Sequence, residues 1–396
     1  MKLAIVHDAV VNRGGAERVL GAFHDIFPEA PIYTTAYWPG HTHASLQSAR
    51  IHTSLLQKMA RTETQLKWLF PLAFRLMQRL DLSKWDVVLS SSTYCAKNVD
   101  TPPSTVHVCY CYAPFRPVWE FDEYTEHLQW NAVTRALMRK AFTQFRRIDF
   151  RAGQKPDYIV AISQHAARKI ERAYGRKPDA VIHPFVDVAA YRCEPSEDYF
   201  LVVSRLAPYK RVDIVIEAFN QLKLPLKIVG TGRDRSRLQA MAGPNIEFLG
   251  ATSEQDLRDY YAHCRCLIFP GEEDFGLVPL EAHASGKPVI AYASGGAMET
   301  VIGAGAGETD HSSATGLFFR QQTPEAIVNA VKRFEKLSFD QMRIRERALQ
   351  FDKAHFMTRI RSFIQQVCDR SVLPEMRTRA NHELDTRENM ALASQS

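Results

Sequence analysis

The sequence predicts an α/β protein made of two doubly wound, Rossmann-like domains. Its 396 residues are too many for one ordinary hydrophobic core. Short apolar runs alternate with amphipathic stretches along both halves, as they do in parallel α/β sheets. This alternation loosens once, around residues 181–187, and a polar stretch follows. We therefore predict an N-terminal domain over residues 1–190 and a C-terminal domain over residues 191–354.

The predicted strands are apolar runs of four to six residues, each long enough to be a buried strand. In the N-terminal half they are Leu3–His7, Val87–Ser90, Val106–Cys111 and Tyr158–Ala161. In the C-terminal half they are Tyr199–Val203, Leu226–Val229, Ile246–Leu249, Cys266–Phe269 and Val289–Tyr292. Helical patterns separate these runs, so that a parallel sheet is the simplest arrangement in each half.

The C-terminal end of the chain divides into a helix and a tail. Residues 355–370 are amphipathic and predict a last helix. Residues 371–396 are polar and lack periodic apolar positions, which predicts disorder.

Composition limits the class of protein. The hydrophobic content of 45% and the charged content of 24% are typical of a globular protein in water. The net charge of +6 is compatible with anionic substrates or a bilayer surface and does not require nucleic acid. Seven cysteines, an odd number without a scaffold pattern, favour a reducing cytoplasm. The first apolar run is too short for a signal peptide, and no run of about 18 apolar residues predicts a transmembrane helix.

The segment 273–281 contains the strongest functional pattern. It follows a predicted strand and leads into a short helix, so the amides of Phe275, Gly276 and Leu277 would lie at a helix N-terminus, where diphosphates bind. Glu273 precedes this turn, and Glu281 lies about one helical turn beyond it. Two carboxylates around an anion site suit a nucleotide sugar, because its hydroxyls need acceptors. The alternative is a loop carboxylate and a helix-surface carboxylate without a shared role.

A second pattern follows the predicted strand that ends at Val203. Arg205 and Lys210 lie on the loop after this strand. A guanidinium and an ammonium there would clamp a diphosphate and offset the charge of a departing nucleoside diphosphate. The alternative is a pair of solvated basic side chains.

Together these segments resemble a known family. Residues 273–281, followed by Gly286-Lys287-Pro288-Val289, resemble the Glu-x7-Glu motif of retaining glycosyltransferases of family 4, which have the GT-B fold. Arg205-Leu206 and Lys210 resemble the donor clamp of that family. The resemblance implies two Rossmann-like domains facing a central cleft, with the last helix crossing back onto the N-terminal domain. It also implies that Glu273, Arg205 and Lys210 are catalytic and that Glu281 holds the donor ribose.

Glycine-rich turns complete the expected donor site. Gly14 and Gly15 match the Gly-Gly loop that faces the donor in this family, and Gly230 follows a predicted strand at the family's Gly-x-Gly. Glycine lets a backbone approach a ligand closely, although Gly230 is equally well explained as a tight turn. Gly295-Gly296 is interpreted as loop architecture, and Glu17 as a first-turn partner of the helix dipole.

The strand at residues 106–111 carries potential metal ligands. Its period of two places His107, Cys109 and Cys111 on one face and Tyr110 on the other. A metal site is conceivable, but packing into a core explains these side chains better. No Asp-x-Asp sequence suited to Mg²⁺ or Mn²⁺ is present. We therefore expect no metal and no other cofactor.

The acceptor or sugar side is assigned to four N-terminal residues: Asp8, Tyr112, Arg116 and Trp119. Polysaccharide mannosyltransferases of the family usually have Cys-His-Thr-Pro-x-Arg where this chain has Cys-Tyr-Ala-Pro-Phe-Arg at residues 111–116. Tyr112 therefore replaces the family's histidine. A phenol can form hydrogen bonds, but it cannot act as a base at neutral pH as imidazole does.

Residues 55–82 mix apolar, aromatic and basic side chains. Trp68, Phe70 and Phe74 lie among five basic residues, Lys58, Arg61, Lys67, Arg75 and Arg79, with only Glu63 and Asp81 as acids. This composition is typical of an interfacial helix on anionic lipid. An ordinary helical pair packed on the sheet is an equally good interpretation.

The sequence thus predicts a metal-independent, retaining hexosyltransferase. The preferred reaction moves mannose from GDP-mannose to a lipid-linked glycan acceptor in polysaccharide biosynthesis, at the inner face of the cytoplasmic membrane. One alternative is a glycosyltransferase that uses a UDP-sugar, or a nucleotide-sugar 2-epimerase of GT-B fold. The other is an inactive subunit that binds a nucleotide sugar. No nucleic-acid partner is expected.

Overall fold

The computed structural model describes residues 1–125, 128, 130–305 and 313–371, and its strands form two separate parallel sheets. The chain divides into unit 1, which consists of Met1–His183 and the chain from Phe356 onward, and unit 2, Pro184–His355. The boundary between unit 1 and unit 2, after His183, therefore lies a few residues before the predicted boundary at 190. The predicted tail of residues 371–396 lies, after Ser371, outside the described residues.

Unit 1 contains a seven-stranded sheet in the order β3-β2-β1-β4-β5-β6-β7. The strands are β1 Leu3–His7, β2 Ile32–Thr34, β3 Ile51–Thr53, β4 Val87–Ser92, β5 Val106–Cys111, β6 Tyr158–Ala161 and β7 Ala180–Val181. The helices are α1 Gly15–Ile26, α2 Leu56–Met59, α3 Glu63–Trp68, α4 Phe70–Gln78, α5 Arg116–Trp119, α6 Phe121–Thr125, α7 Ala132–Gln154 and α8 Gln164–Tyr174. Strands β1, β4 and β5 are buried along their whole length, which explains their nearly continuous apolar sequences.

Unit 2 repeats this plan with six parallel strands in the order β10-β9-β8-β11-β12-β13. The strands are β8 Phe200–Val203, β9 Leu226–Val229, β10 Ile246–Gly250, β11 Cys266–Phe269, β12 Val289–Tyr292 and β13 Gly316–Phe319. The helices are α9 Val212–Leu222, α10 Arg235–Met241, α11 Glu254–His263, α12 Leu277–Ala284, α13 Ala297–Thr300, α14 Pro324–Phe334 and α15 Gln341–Leu349. A continuous core packs α9 and α14 against the sheet, and the rings of Phe219 and Phe334 both meet the Phe200 ring edge-on.

The last helix, α16 (Lys353–Ser371), begins in unit 2 and continues into unit 1. Phe356 stacks on Phe23 at 5.8 Å between ring centroids and meets Tyr110 edge-on at 5.9 Å. Further along α16, Ile360, Ile364 and Val367 are buried. These contacts attach the end of the described chain to unit 1.

All nine strands predicted from the sequence are present, six of them with the predicted bounds. Four strands were missed: β2, β3, β7 and β13. Strands β2, β3 and β7 have only two or three residues, too few for a periodic pattern. Strand β13, Gly316–Phe319, begins with a glycine and lies at the edge of its sheet. Among the described residues, no helix combines the length and apolarity needed to cross a bilayer.

Candidate active site

The strand order of unit 2 brings the two principal motifs together. Strand β8 lies between β9 and β11, so the order reverses between β8 and β11. Ligands of doubly wound sheets bind at such a switch point, outside the carboxyl ends of the strands. The loop after β8 carries Arg205 and Lys210, and the loop after β11 carries Glu273. Topology alone therefore places the two loops side by side.

Side-chain contacts confirm that the loops meet. The Lys210 ammonium forms an ion pair with the Glu273 carboxylate, and 11% of the Lys210 side chain and 33% of that of Glu273 are exposed. Lys210 Nζ also lies 4.9 Å from the centre of the Tyr209 ring. Arg205 is exposed, and in the described part of unit 2 its guanidinium has no hydrogen-bond or ion-pair partner. A loop with one paired and one unpaired cation suits an anionic ligand.

Glycines allow the backbone of neighbouring segments to pack closely against both loops. A Cβ on Gly230 would lie 1.9 Å from the Ser204 carbonyl oxygen, and Gly230 has a φ of +133°. A Cβ on Gly296 would lie 2.2 Å from the Cα of Phe275, and the Gly296 amide donates to the Glu273 carbonyl at 2.8 Å. Gly295-Gly296 is thus loop architecture, as predicted. Gly230 packs against the loop that carries Arg205, and this contact agrees with the interpretation of Gly230 as part of a tight turn. Its predicted contact with a donor remains a prediction.

Helix α12 begins where the sequence predicted it. Gly276 adopts a left-handed conformation, with φ 84°, and Leu277 is the first helical residue. The amides at this end of the helix point away from its body and have no carbonyl of a preceding turn to bind. Glu281, in the second turn, is buried and accepts a hydrogen bond of 2.8 Å from the Tyr261 hydroxyl. Glu281 is therefore not a solvated helix-surface carboxylate.

In unit 1 the order reverses between β1 and β4, and Asp8 lies at this switch point. Its carboxylate is buried and accepts hydrogen bonds from the amides of four successive residues, Thr93 to Ala96, at 2.5 to 3.0 Å. The hydroxyls of Ser92 and Thr93 donate to it as well. Six donors saturate the carboxylate. We therefore revise the role of Asp8: it anchors the turn after β4, and no lone pair remains for a sugar hydroxyl.

Tyr112 is tied to the first helix through its hydroxyl. This hydroxyl donates to the Ala16 carbonyl at 3.2 Å and lies 3.0 Å from Ser91 Oγ. Ser91 Oγ lies 3.0 Å from Nδ1 of His7, whose pKa burial lowers to about 4, so that the imidazole is neutral. Burial also raises the pKa of Tyr112 well above its usual value. The residue that replaces the family's histidine thus connects the end of β5 with the first turn of α1.

The Gly14-Gly15 loop opens α1 as expected. Glu17 accepts a hydrogen bond of 3.1 Å from the Gly14 amide, so it caps the helix. Glu17 is buried, and burial raises its pKa to about 7. A Cβ on Gly14 would lie 2.6 Å from the Glu17 carboxylate, so a larger residue at this position would displace the Glu17 side chain.

Trp119 and Arg116 are held by neighbouring side chains. The Trp119 indole donates to Asp149 Oδ2 at 2.7 Å, and Asp149 forms a fully buried ion pair with Lys97 at 2.8 Å. Burial alone would lower the pKa of Lys97, but Asp149 raises it to about 12. Arg116 pairs with Glu120 at 2.7 Å. Sequence patterns did not reveal the Lys97–Asp149 pair, because the two residues lie 52 positions apart. The predicted acceptor contacts of Arg116 and Trp119 remain predictions.

The strand β5 side chains pack as predicted. Cys109 and Cys111 belong to a core cluster with residues of β6 and α8, and Tyr110 faces Phe23 on the other side. His107 Nε2 lies 2.8 Å from Ser90 Oγ. Within the ranges that the structure describes, no three His, Cys, Asp or Glu side chains are grouped so as to hold a metal ion.

The stretch 55–82 folds into α2, α3 and α4, and some of its aromatic side chains are not available for a membrane interface. Phe74 is buried, and Phe70 packs on Phe142 and Phe145 of α7 at 6.0 and 4.6 Å. These two rings therefore belong to the fold and not to an interface. Trp68 is 65% exposed, and Lys58, Arg61, Arg75 and Arg79 are exposed.

Sequence comparison finds similarity over the part of the chain that contains both motifs. Residues 189–351 match the family model described as "Glycosyl transferases group 1". The chain is 33% identical to a GDP-mannose-dependent monoacylated phosphatidylinositol monomannoside mannosyltransferase of Corynebacterium glutamicum, over 38% of this chain and 48% of that protein. It is 38% identical to a GDP-mannose-dependent alpha-mannosyltransferase of Mycobacterium tuberculosis, over 33% of each chain. The chain thus spans half or less of the length of the curated relatives first matched.

Solved structures extend the likeness over most of the chain. Anabaena HepE in complex with UDP and glucose superposes with a TM-score of 0.63 at 18% identity, over 92% of this chain and 99% of that one. Sucrose-phosphate synthase of Thermosynechococcus elongatus gives a TM-score of 0.69 at 17% identity, over 93% and 99%. The predicted resemblance is therefore confirmed: the chain has the two-domain GT-B fold of glycosyltransferases, is similar to mannosyltransferases, and matches the model of the group 1 glycosyl transferases over residues 189–351.

Proposed function

We propose that this protein is a retaining, metal-independent hexosyltransferase that moves mannose from GDP-mannose to a lipid-linked glycan in polysaccharide biosynthesis. The observation that carries the proposal is the ion pair between Lys210 and Glu273 across the switch point of unit 2. It joins a cation suited to phosphate and a carboxylate suited to sugar hydroxyls at one place. An ion pair with a purely structural role would not need the N-terminus of helix α12, an anion-binding feature, beside it.

The diphosphate of the donor would bind to positive groups of unit 2. Arg205 and Lys210 supply two full charges, and the amides of Phe275, Gly276 and Leu277 supply the partial charge of a helix N-terminus. As the bond to the sugar breaks, negative charge develops on the departing diphosphate. These groups would stabilise that charge, which is the part a divalent ion plays in other transferases.

The two carboxylates would bind the two ends of the donor. Glu273 holds sugar hydroxyls, and Glu281 holds the ribose. We propose front-face attack, in which the departing phosphate accepts the acceptor proton and neither carboxylate acts as a nucleophile. The ion pair with Lys210 supports this role for Glu273, because a paired carboxylate is a weaker nucleophile. A glycosyl adduct on Glu273, found by mass spectrometry after a donor-only incubation, would contradict it.

The choice of donor rests on the relatives. Three of the matched proteins are named as GDP-mannose-dependent mannosyltransferases. A further match, 24% identical, is an O-antigen chain mannosyltransferase of Escherichia coli. The HepE structures contain UDP or UDP-glucose, so UDP-sugars are the appropriate comparators.

The test of the proposed function is release of nucleoside diphosphate from GDP-mannose, UDP-glucose and UDP-N-acetylglucosamine in the presence of EDTA. Turnover of GDP-mannose with mannose transferred to a polyprenyl-diphosphate glycan supports the proposal. Release of UDP with an epimerised sugar and no acceptor would identify a 2-epimerase. Thermal stabilisation by a donor without any turnover in the presence of acceptor would identify a binding subunit.

We also propose that unit 1 attaches to an anionic membrane surface, where a lipid-linked acceptor would lie. Besides Trp68, the long helix α7 exposes Val133 and Leu137, one turn apart, by 69% and 64%. Phe70 packs on α7, so α4, which carries Arg75 and is followed directly by Arg79, is a neighbour of this helix. Exposed apolar side chains beside basic ones suit the interface of an anionic bilayer.

Vesicle sedimentation tests this attachment. Each basic residue near an anionic surface contributes about 1 kcal/mol to binding, so Arg75→Glu with Arg79→Glu is expected to weaken pelleting at least about tenfold. The control is Lys332→Glu with Lys336→Glu, which changes the net charge equally on exposed positions of unit 2. Equal partitioning of the wild type with neutral and anionic vesicles would contradict the proposal.

A further inference from the structure

The carboxylate of Glu281 accepts a hydrogen bond from a buried phenol. Tyr261, on α11, donates a hydrogen bond of 2.8 Å to Oε2 of Glu281, on α12. The Tyr261 side chain is fully buried. Burial and the adjacent Glu281 carboxylate raise the pKa of Tyr261 well above its usual value, so the phenol remains a donor at any physiological pH.

Tyr261 is itself fixed by a second layer of contacts. Its ring meets the Tyr191 ring nearly edge-on, with centroids 6.1 Å apart. Arg345 donates to the carbonyls of Tyr191 and Val188 at 3.0 Å and also to the carbonyl of Ala284, the last residue of α12. One guanidinium thus ties the segment that supports Tyr261 to the end of the helix that carries Glu281.

We propose that Tyr261 is a positioning residue that orients the Glu281 carboxylate toward the ribose hydroxyls of the donor. This inference rests on the proposed function. The last torsion of a glutamate side chain is broad, so an unrestrained carboxylate must be ordered when ribose binds. A bond from a rigid, buried phenol removes this freedom in advance and fixes the direction of the remaining lone pairs. Tyr261 would therefore act on ribose recognition without touching the nucleotide.

The test compares ribonucleotides with deoxyribonucleotides. Dissociation constants are measured by calorimetry for GDP and 2′-deoxy-GDP, and for UDP and 2′-deoxy-UDP. We expect the wild type to bind the ribonucleotide about tenfold more tightly than its deoxy analogue. In Tyr261→Phe this ratio is expected to fall to about twofold, while affinity for the deoxy analogue stays unchanged.

Two further variants show whether the effect passes through Glu281. Tyr260→Phe removes the neighbouring phenol, whose ring lies beside Lys227, and should keep the wild-type ratio. In the Glu281→Gln background, Tyr261→Phe should change the ratio by less than twofold, because coupled residues are not additive.

The outcomes separate the inference from the function on which it rests. If the wild type binds neither GDP nor UDP, the proposed function and the inference fail together. If it prefers the ribonucleotide and Tyr261→Phe retains that preference, the inference alone is overturned. Loss of deoxynucleotide affinity in Tyr261→Phe would also overturn it, since the phenol would then support the fold rather than the carboxylate.

Discussion

Gly230 and Gly296 lie where any side chain would meet the backbone of a neighbouring loop. A Cβ on Gly230 would approach the Ser204 carbonyl oxygen to 1.9 Å, and one on Gly296 would approach Phe275 to 2.2 Å. The loops in question carry the residues proposed to bind the donor. Glycine here allows loops from different strands to pack closely enough to form one site.

Gly230→Ala is expected to destabilise unit 2 by about 2 kcal/mol or more, because strain at a positive φ adds to the clash with Ser204. Urea unfolding followed by far-ultraviolet circular dichroism measures the loss. Gly40→Ala is the control, since nothing lies within 4 Å of a Cβ there. Equal stability of the two variants would contradict the packing described.

At this scale the sequence predicted which segments carry the candidate site residues better than it predicted the partners of those residues. Glu273, Glu281 and Lys210 could be proposed from the sequence, because their spacing along two strand-to-helix segments resembles a family pattern; their roles remain predictions. Their partners could not be predicted. Tyr261 donates a hydrogen bond to Glu281 from a different helix, and Trp119 donates one to Asp149, which lies 30 residues further along the chain. Such contacts depend on tertiary packing, for which single-sequence periodicity contains no signal.

The turn after β4 shows how one side chain organises a whole element. Four consecutive amides, from Thr93 to Ala96, point at the Asp8 carboxylate. Lys97, at the end of this turn, then enters the buried ion pair with Asp149 of α7. The end of β1, the turn after β4 and helix α7 are thus joined through two charged side chains at the switch-point edge of unit 1.

Asp8→Ala is expected to destabilise unit 1 by about 3 kcal/mol or more, because buried amides lose a charged acceptor. All five tryptophans precede residue 184, so tryptophan fluorescence during urea unfolding reports on unit 1. Asp100→Ala, which removes a surface ion pair with Lys155, is the control and should cost less than about 1 kcal/mol. A loss as small as that of the control would argue against the anchoring role.

Element prediction succeeded where strands are long and buried. β1, β5 and β11 were predicted with their observed bounds, because strands covered on both faces consist of continuous apolar residues. The prediction failed for β2, β3 and β7, which have too few residues to show a pattern. For Phe70 and Phe74 the sequence left lipid contact and ordinary packing equally open, because an aromatic residue on an amphipathic helix packs equally well on either. In the structure Phe70 packs on α7, and Phe74 packs on Tyr94 and Phe115.

Across the whole molecule, buried histidines link stability to pH. Burial lowers the pKa of His283 in unit 2 to about 3, while the unfolded chain titrates near 6.5. The unfolded state therefore binds the proton first as the pH falls, and the contribution of neutral His283 to stability is lost between pH 6.5 and 3. His7 and His107 act in the same direction in unit 1. Glu17 acts oppositely: its pKa is raised to about 7, so its contribution is lost as the pH rises from 4.5 through 7.

His283→Gln is expected to reduce the acid sensitivity of unit 2. Lowering the pH from 6 to 5 should narrow the stability difference between wild type and variant by about 1 kcal/mol, since one pH unit corresponds to about 1.4 kcal/mol per proton. Hydrogen exchange of β12 amides, read by mass spectrometry, measures unit 2 alone. The exposed His355→Gln is the control for the loss of a histidine side chain. A constant difference for His283→Gln would show that this histidine is not buried in its neutral form.

The central claim is that Lys210 and the loop of Glu273 form the donor site. Its most direct test is kcat/KM for nucleoside-diphosphate release from GDP-mannose in EDTA, for Lys210→Ala against the exposed-site control Lys332→Ala. Removing one group that stabilises transition-state charge typically lowers the rate about 10²- to 10³-fold. We expect a loss of that size for Lys210→Ala, with an unchanged melting temperature, and wild-type activity for Lys332→Ala. Activity of Lys210→Ala within threefold of wild type would contradict the assignment of this site.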